Sequence, residues 1–378
     1  MRIGIDAHVL GKGIGGVERF LKQMVEWLPR ISADHEYVVF VNRDAANARM
    51  IKPQANVQIV PLVTANPLIE RSLIIPWLIR RHRLDTLIVQ RLCPWFCGRC
   101  KLILTIHDLT PLKFPKAYRG LTNHLIRLLT DGSVRRSSLI LTPTQTIAAE
   151  VKAYFKLKTK PVIAYYNGVD VTCFKPNISK GTAQGCLDRL GIRGPYMFTS
   201  GAIEARKNLE IIYDAVAAIA HDVPISLVIV GKIRDKGYAA YLSRRARSLG
   251  IEDKVQHLGF VEEATLVALY QNASLFITAS RDEGFNMPPL EAMSCGAPII
   301  CSDIPVHREL FDGCALFFPA DSKVDLVTQI YKLLNTPEAH HQLRDAASSL
   351  ASRFTWQAAS ERIATGLEAL SGTKGTAR

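Results

Sequence analysis

The chain has 378 residues, 48% of them hydrophobic and 21% charged, a balance that excludes a disordered chain and a length that favours two domains over one core. The apolar run Ser72 to Ile79 falls far short of the roughly 20 residues that cross a bilayer, which excludes a spanning helix there. Of the net charge of +13, residues 1 to 180 hold 27 Lys and Arg against 12 Asp and Glu, so the whole excess lies in the first half and points to an anionic partner, such as a lipid surface or a diphosphate-bearing acceptor, or to a solvated basic surface.

The opening MRIGIDAHVL lacks the long apolar stretch and cleavage site of a secretory signal, so the chain is expected to start at Met1 and to work in the cytoplasm. Its eight cysteines are then expected to be reduced thiols.

Short β-branched runs alternate with amphipathic stretches, the pattern of parallel sheets covered by helices. The first series is Arg2 to Ala7, Tyr37 to Val41, Val57 to Leu62, Thr86 to Val89, Leu102 to Ile106, Leu139 to Thr142 and Val162 to Tyr165. After a Gly, Ser and Lys-rich linker expected at Asn177 to Gly194, the second series is Tyr196 to Ser200, Ser226 to Val230, Val255 to Leu258, Leu275 to Thr278 and Pro298 to Cys301. The expected domains are residues 1–178, residues 179–355 and a terminal helix at 356–378. In open parallel sheets ligands bind beyond the carboxyl ends of strands, so the loops there are where chemistry is sought.

The first such loop is Gly11-Lys-Gly13-Ile-Gly15-Gly16, followed by a helix with the apolar stripe Val17, Phe20, Leu21, Met24, Val25 and Leu28. Gly15 and Gly16 let the backbone approach a phosphate closely. The loop also satisfies G-x-G-x-x-G, but a dinucleotide fingerprint places its first glycine at the strand end, whereas Ala7 to Leu10 intervene here. Further on, Arg71, Arg80, Arg81 and Arg83 flank Ser72 to Ile79, either a basic and apolar surface suited to anionic headgroups or a core segment with a basic end, with Pro76 weakening a helix. Cys93, Cys97 and Cys100 have a spacing that can hold an iron–sulfur cluster or zinc, although Arg99 stands where cluster enzymes usually carry an aromatic residue. Next, Thr105-Ile-His107-Asp108-Leu-Thr-Pro111 ends an apolar strand and puts a His-Asp pair at a strand's carboxyl end.

In the second half, Gly201-Ala-Ile-Glu-Ala-Arg206-Lys207-Asn208 follows the first strand of its series. Arg offers a planar fork to phosphate oxygens and Lys a compact charge, so the pair suits a phosphate-bearing ligand. The loop Arg281-Asp-Glu283-Gly-Phe-Asn-Met-Pro-Pro-Leu-Glu291 follows Leu275 to Thr278. Its tandem prolines suit the first turn of a helix that Gly296 ends, and the free N–H groups at that helix start attract an anion. Glu283 and Glu291 then sit where one carboxylate takes sugar hydroxyls and the other ribose; the plainer alternative makes them a dipole partner and a surface residue. No Asp-x-Asp occurs, so the usual carboxylate pair for a diphosphate-bound Mg²⁺ is missing.

Glu283 and Glu291, separated by seven residues and set in Glu-Gly-Phe, Pro-Leu-Glu-Ala-Met and Gly-Ala-Pro, resemble the signature of the family-4 retaining glycosyltransferases (glycosyl transferases group 1) of the GT-B fold. The resemblance covers essentially the whole chain, and His107-Asp108-Leu-x-Pro111 is similar to the mannosyl-transferring bacterial members of polysaccharide and O-antigen assembly. It implies an α/β chain with two Rossmann-like parallel-sheet domains facing across a cleft and a C-terminal helix crossing back to the N-terminal domain. It also implies transfer of a hexose, mannose first, with retention, by same-face substitution in which a donor phosphate oxygen takes the acceptor's proton.

Carried over residue by residue, His107, Glu283, Arg206 and Lys207 are the expected catalytic residues. Gly15, Gly16, Gly201, Gly284, Phe285, Asn286, Met287 and Glu291 join the basic pair around the donor, and Asp108 and Arg19 face the acceptor. No metal or other cofactor is expected. GDP-mannose is the first choice of donor, with UDP-hexoses next, and the acceptor is a lipid-linked saccharide met at an anionic membrane on the cytoplasmic face, with no nucleic acid as partner. The competing readings are a nucleotide-sugar epimerase of similar two-domain fold and a non-catalytic sugar-nucleotide-binding protein.

Overall fold

A computed structural model describes residues 1–13, 15–42, 50–62, 69–113, 121–176 and 180–372. Ile14 of the glycine loop therefore lies outside the described residues, as do residues 177–179 of the expected linker, residues 373–378 of the terminal helix and the side chains of Arg71 and Pro111. The chain divides into two compact units, Met1–Gly168 with Trp356–Arg378, and Val169–Thr355. The expected linker thus falls inside the second unit, where Lys180–Arg189 is a helix.

The described strands of the first unit are β1 (Arg2–Ala7), β2 (Glu36–Val41), β3 (Val57–Pro61), β4 (Thr86–Gln90), β5 (Lys101–Thr105), β6 (Leu139–Thr142) and β7 (Val162–Ala164). They form one sheet in the order β3-β2-β1-β4-β5-β6-β7, and every pairing is parallel. Parallel sheets carry helices on both faces, so their strands read as continuous apolar runs. Ile3, Ile5, Leu87, Ile88, Ile103, Leu104, Ile140 and Leu141 are accordingly all buried.

The helix Gly16–Ile31 buries Phe20, Leu21, Met24, Val25 and Leu28, most of the stripe read from the sequence. The terminal helix Trp356–Gly372 packs against it and buries Trp356, Ile363 and Leu367. A Cβ on Gly366 would stand 2.9 Å from Ile163 and 3.0 Å from Leu139, so that helix lies close on the sheet.

The second unit holds β8 (Tyr196–Ser200), β9 (Ser226–Val230), β10 (Val255–Gly259), β11 (Leu275–Thr278), β12 (Ile299–Ser302) and β13 (Leu316–Phe318). These are ordered β10-β9-β8-β11-β12-β13 and are parallel throughout. β13 is the strand the sequence reading missed; three residues are too few to show a period, and only pairing with β12 makes them a strand. One core of Met197, Ile212, Val216, Leu227, Ile229, Leu275, Ile277, Ile300, Leu326 and Ile330 runs under the sheet.

Each sheet reverses its winding direction once, between β1 and β4 in the first unit and between β8 and β11 in the second. Loops that leave neighbouring strands in opposite directions open a crevice at their carboxyl ends, which is where ligands of such sheets bind.

Candidate active site at the switch point of the second sheet

The two loops beside the β8/β11 reversal carry the charged residues. After β8 the chain makes a short 3₁₀ turn, Ala205–Lys207, and leaves it through Asn208 in the left-handed region at φ 54°. The Asn208 amide donates to Ala279 O at 3.1 Å and to Ala320 O at 2.8 Å. The Arg281 N–H donates to Arg206 O at 3.0 Å. Those bonds tie the loop after β8 to the loop after β11 and bring together side chains about 76 positions apart.

Glu283 is the centre of the arrangement. Its Oε2 lies 2.6 Å from an Arg206 guanidinium nitrogen and its Oε1 lies 2.6 Å from Lys207 Nζ. Burial pushes the Glu283 carboxyl up, but the Lys207 and Arg206 cations and their hydrogen bonds more than reverse this and hold it well below the usual carboxylate range. Burial pulls the Lys207 ammonium below its ordinary value, with Arg206 acting in the same sense against the pull of Glu283. Burial also acts against the Arg206 charge, but Glu283 and Glu204 outweigh it and raise the guanidinium above its ordinary value. Arg206 further donates to Glu204 Oε1 at 2.7 Å and to Asp282 O at 2.6 Å. Two cations and two carboxylates therefore balance, and any anion bound here competes with Glu204 and Glu283 for the same N–H groups.

Gly201 brings its backbone against this pair. Its φ is 139°, and a Cβ there would stand 3.3 Å from Lys207 Cε. Gly231, which the sequence reading passed over, is tighter still, because a Cβ on it would lie 1.7 Å from Gly201 O.

Asn286 precedes the helix Met287–Ser294 in the left-handed region at φ 67°, and Pro288 and Pro289 occupy the helix's first turn. Gly296, at φ 82°, follows the Cys295 cap and closes the helix. Glu291 is buried on that helix and its Oε2 accepts from the Tyr270 hydroxyl at 2.9 Å, which in turn lies 2.7 Å from Ser200 Oγ. The plainer reading of Glu291 as a surface residue is thereby excluded. Phe285 is buried edge-on against Phe354, 6.0 Å between centroids, and Met287 is buried.

In the first unit, His107 and Asp108 follow β5. His107 Nε2 lies 2.9 Å from Gln90 Oε1, an acceptor only, so Nε2 carries the proton and Nδ1 accepts from the Tyr165 hydroxyl at 3.0 Å. Burial, with Arg91 adding to it, lowers the imidazole to about 3. His107 is therefore a neutral ring with both nitrogens engaged, set edge-on to Phe20 at 5.2 Å. Asp108 Oδ1 accepts from the Thr110 N–H at 3.0 Å, at the start of the short helix Thr110–Lys113. A pocket beside them is lined by Arg91, Leu92, His107, Asp108, Leu112 and Ile126. Gly15 caps the helix Gly16–Ile31 at φ 77°, Glu18 Oε1 accepts from the Gly11 N–H at 2.7 Å, and Arg19 lies on that helix's first turn, half-buried.

Cys93 and Cys100 are buried and Cys97 half-buried. Their sulfurs do not gather within 4.8 Å of one another, the closeness that ligands of a single zinc ion need. Among the described residues the group that does gather is Asp6, His8 and Glu70 in the first unit, where His8 Nδ1 and Asp6 Oδ1 are 2.6 Å apart.

Several residues of the site carried no motif. Tyr270, Ser200 and His307 enter through a strand end and neighbouring helices, while Glu204 lies unassigned inside the Gly201 to Asn208 motif; of these, only a histidine shortly after β12 could have drawn attention. Two parallel sheets, each with its reversal, define the fold of the GT-B glycosyltransferases. The solved sucrose-phosphate synthase of Thermosynechococcus elongatus superposes with a TM-score of 0.81 at 16% identity, covering 99% of this chain and 100% of that one. Anabaena HepE, in a complex with UDP and glucose, gives 0.77 at 19% identity over 98% and 100%. WaaG, a glycosyltransferase involved in lipopolysaccharide biosynthesis, gives 0.70 at 13% identity over 96% and 98%.

The family described as Glycosyl transferases group 1 matches residues 190–349, and the one described as Glycosyltransferase Family 4 matches residues 14–172. The chain belongs to this glycosyltransferase family. Similar curated proteins are the O-antigen chain mannosyltransferase RfbU of Salmonella typhimurium, 28% identical over 62% of each chain, and the serotype-specific mannosyltransferase WbdA of Escherichia coli, 28% identical over 70% of this chain and 32% of WbdA. Mannosylfructose-phosphate synthase of Agrobacterium fabrum is 29% identical over 55% of this chain and 48% of its own. The chain thus spans less than two thirds of the length of these relatives.

Proposed function

We propose that the chain is a retaining hexosyltransferase that moves mannose from GDP-mannose to a lipid-linked or saccharide acceptor without a metal ion. The observation that carries this reading is the meeting of Arg206, Lys207 and Glu283 at the β8/β11 reversal. Arg206 and Lys207 take the donor diphosphate and neutralise the leaving group as the bond from the sugar's C1 to its phosphate oxygen breaks. Glu283 and the loop N–H groups of Gly284 to Met287 hold the sugar, and Glu291, aimed by Tyr270, takes the ribose hydroxyls. The acceptor hydroxyl attacks C1 on the face the phosphate leaves, and its proton passes to a donor phosphate oxygen, so configuration is retained. His107, a neutral ring with both nitrogens engaged, transfers no proton in the reaction. The family resemblance assigns Gly15 and Gly16 to the donor phosphates and Asp108 and Arg19 to the acceptor. The mannosyltransferase relatives support mannose as the sugar.

The first unit's surface supports peripheral membrane binding as part of this reading. Ile69, Leu73 and Trp77 recur four residues apart with 45%, 65% and 53% of their surface exposed, and Arg80 and Arg81 follow them, exposed, at the helix end. Pro76 is accommodated because a π turn, Glu70–Ile74, leads into the helix Ile75–Arg81 and Pro76 falls in its first turn. No helix among the described residues is long and apolar enough to cross a membrane. An exposed apolar stripe with a basic end suits an anionic bilayer surface.

The test is a thermal-shift panel of GDP-mannose, GDP, UDP-glucose, UDP and NAD with and without EDTA, followed by NMR of the product's anomeric carbon. Stabilisation by GDP-mannose that EDTA leaves unchanged, and a product of retained configuration, are expected. An inverted anomer, a Mg²⁺ requirement, or donor turnover without any acceptor would overturn the reading.

A further inference from the structure

The Lys207 ammonium is held by more than its ion pair with Glu283. Its Nζ also lies 3.4 Å from Asn286 Oδ1, and the Asn286 Nδ2 group lies 3.0 Å from Thr278 Oγ1 and 2.9 Å from His307 Nε2. His307 is fully buried, and its Nδ1 lies 2.8 Å from Ser302 O. A backbone carbonyl only accepts, so Nδ1 carries the proton and Nε2 presents a bare lone pair.

That lone pair decides which way the neighbouring amide faces. Only an N–H can approach it, so the Asn286 NH₂ must turn toward His307 and the carbonyl oxygen toward Lys207. Thr278 cannot make this choice, since its hydroxyl donates or accepts as required. With the amide reversed, NH₂ hydrogens would face the ammonium and push it from its place. The left-handed backbone at Asn286, uncommon for a residue with a side chain, keeps the amide within reach of both neighbours.

We propose that His307 is a positioning residue for the basic pair: through its fixed tautomer it orients Asn286 and thereby holds Lys207 for the donor's diphosphate. The chain of bonds runs Ser302 O, His307, Asn286, Lys207, from rigid backbone at the end of β12 to the cation in the turn after β8. The proposal rests on the diphosphate reading of the site for its purpose, but the geometry of the relay does not.

The test is a double-mutant cycle on the full chain. Affinities for GDP and for inorganic pyrophosphate are measured by calorimetry in wild type, His307→Leu, Lys207→Ala and the double variant, with His307→Gln as the conservative replacement. His307→Leu is expected to weaken GDP binding roughly tenfold in the wild-type background and less than twofold once Lys207 is gone. His307→Gln, whose Oε1 can accept from the same NH₂, is expected to recover most of the loss. Equal losses in both backgrounds would mean that His307 only supports the fold, and would overturn the proposal.

A ligand-free arm separates the two readings. Acylation of Lys207 by an N-hydroxysuccinimide ester, followed by mass spectrometry, is expected to speed up several-fold in His307→Leu and to stay near wild type in His307→Gln. An unchanged rate in His307→Leu overturns the relay whatever the protein binds. If wild type takes neither GDP nor pyrophosphate, the diphosphate reading falls while the acylation rates still decide the relay. Should His307→Leu not fold, Asn286→Gly, which fits the left-handed backbone and removes the amide, must reproduce its effects; a wild-type acylation rate in that variant overturns the proposal equally.

Discussion

Replacing Glu283 by Gln removes one charge from the centre of the site and almost no volume. The wild-type carboxylate is buried and accepts from two cations at 2.6 Å each, so the variant leaves Arg206 and Lys207 with Glu204 as their remaining close counter-charge. Removing one partner of a buried ion pair costs about 3–5 kcal/mol. Gln keeps an acceptor, and Arg206 keeps Glu204 and the Asp282 carbonyl, so the lower end, about 3 kcal/mol, is expected. For a unit of this size about 2–4 °C of melting temperature accompanies each kcal/mol, which makes the expected fall roughly 6–12 °C.

The pH dependence carries the sign. The folded-state carboxyl titrates far below its unfolded value, so its contribution is fully present above about pH 4.3 and is lost as pH falls. In urea titrations the gap between wild type and variant should hold steady from pH 5 to 8 and narrow by roughly 1.4 kcal/mol per pH unit below about 4. Pyrophosphate should stabilise the variant more than wild type, because the anion replaces the missing charge. A variant that melts within about 1 °C of wild type at pH 7, or a gap that keeps its full size at pH 3, would refute the assignment of Glu283 as the buried counter-ion of the pair.

Other expectations follow from the same geometry. Tyr270→Phe leaves a Glu291 oxygen without its hydroxyl donor and should cost about 1–3 kcal/mol of stability, with a weaker response to GDP in the thermal-shift assay. Gly231→Ala should prevent normal folding of the second unit, seen as loss of the cooperative melt, because its Cβ would stand 1.7 Å from Gly201 O. His107, neutral when folded, charges more readily when unfolded. Its penalty is therefore absent above about pH 6.5 and grows as pH falls toward 3, so His107→Gln should flatten the loss of stability measured by urea titration between pH 6 and 4. Vesicles containing anionic lipid should bind the wild-type chain at low salt, and Leu73→Asp with Trp77→Asp should release it while leaving GDP binding unchanged.

Apolar runs, glycine and proline punctuation and one spaced pair of glutamates determined a good deal by themselves. Twelve strands, the helix that starts at Pro288 and Pro289, and the places of Arg206, Lys207, Glu283 and Glu291 after strands were legible because each depends on neighbours close in the chain. What only the tertiary structure decided depends on residues that meet across the sheet. Leu316–Phe318 becomes a strand by pairing with β12, and the division after Gly168 follows from packing that composition does not record.

The same holds within the site. Glu204 and Glu283 share Arg206, Tyr270 turns Glu291, and His307 turns Asn286, over separations of two to 77 positions. A buried hydrogen bond fixes a tautomer or an amide orientation by the geometry of its partner, and that partner is named only once the chain has folded. His107 shows the difference most plainly: its place at a strand end was readable, whereas its neutrality comes from burial against Gln90 and Tyr165, which the fold alone supplies.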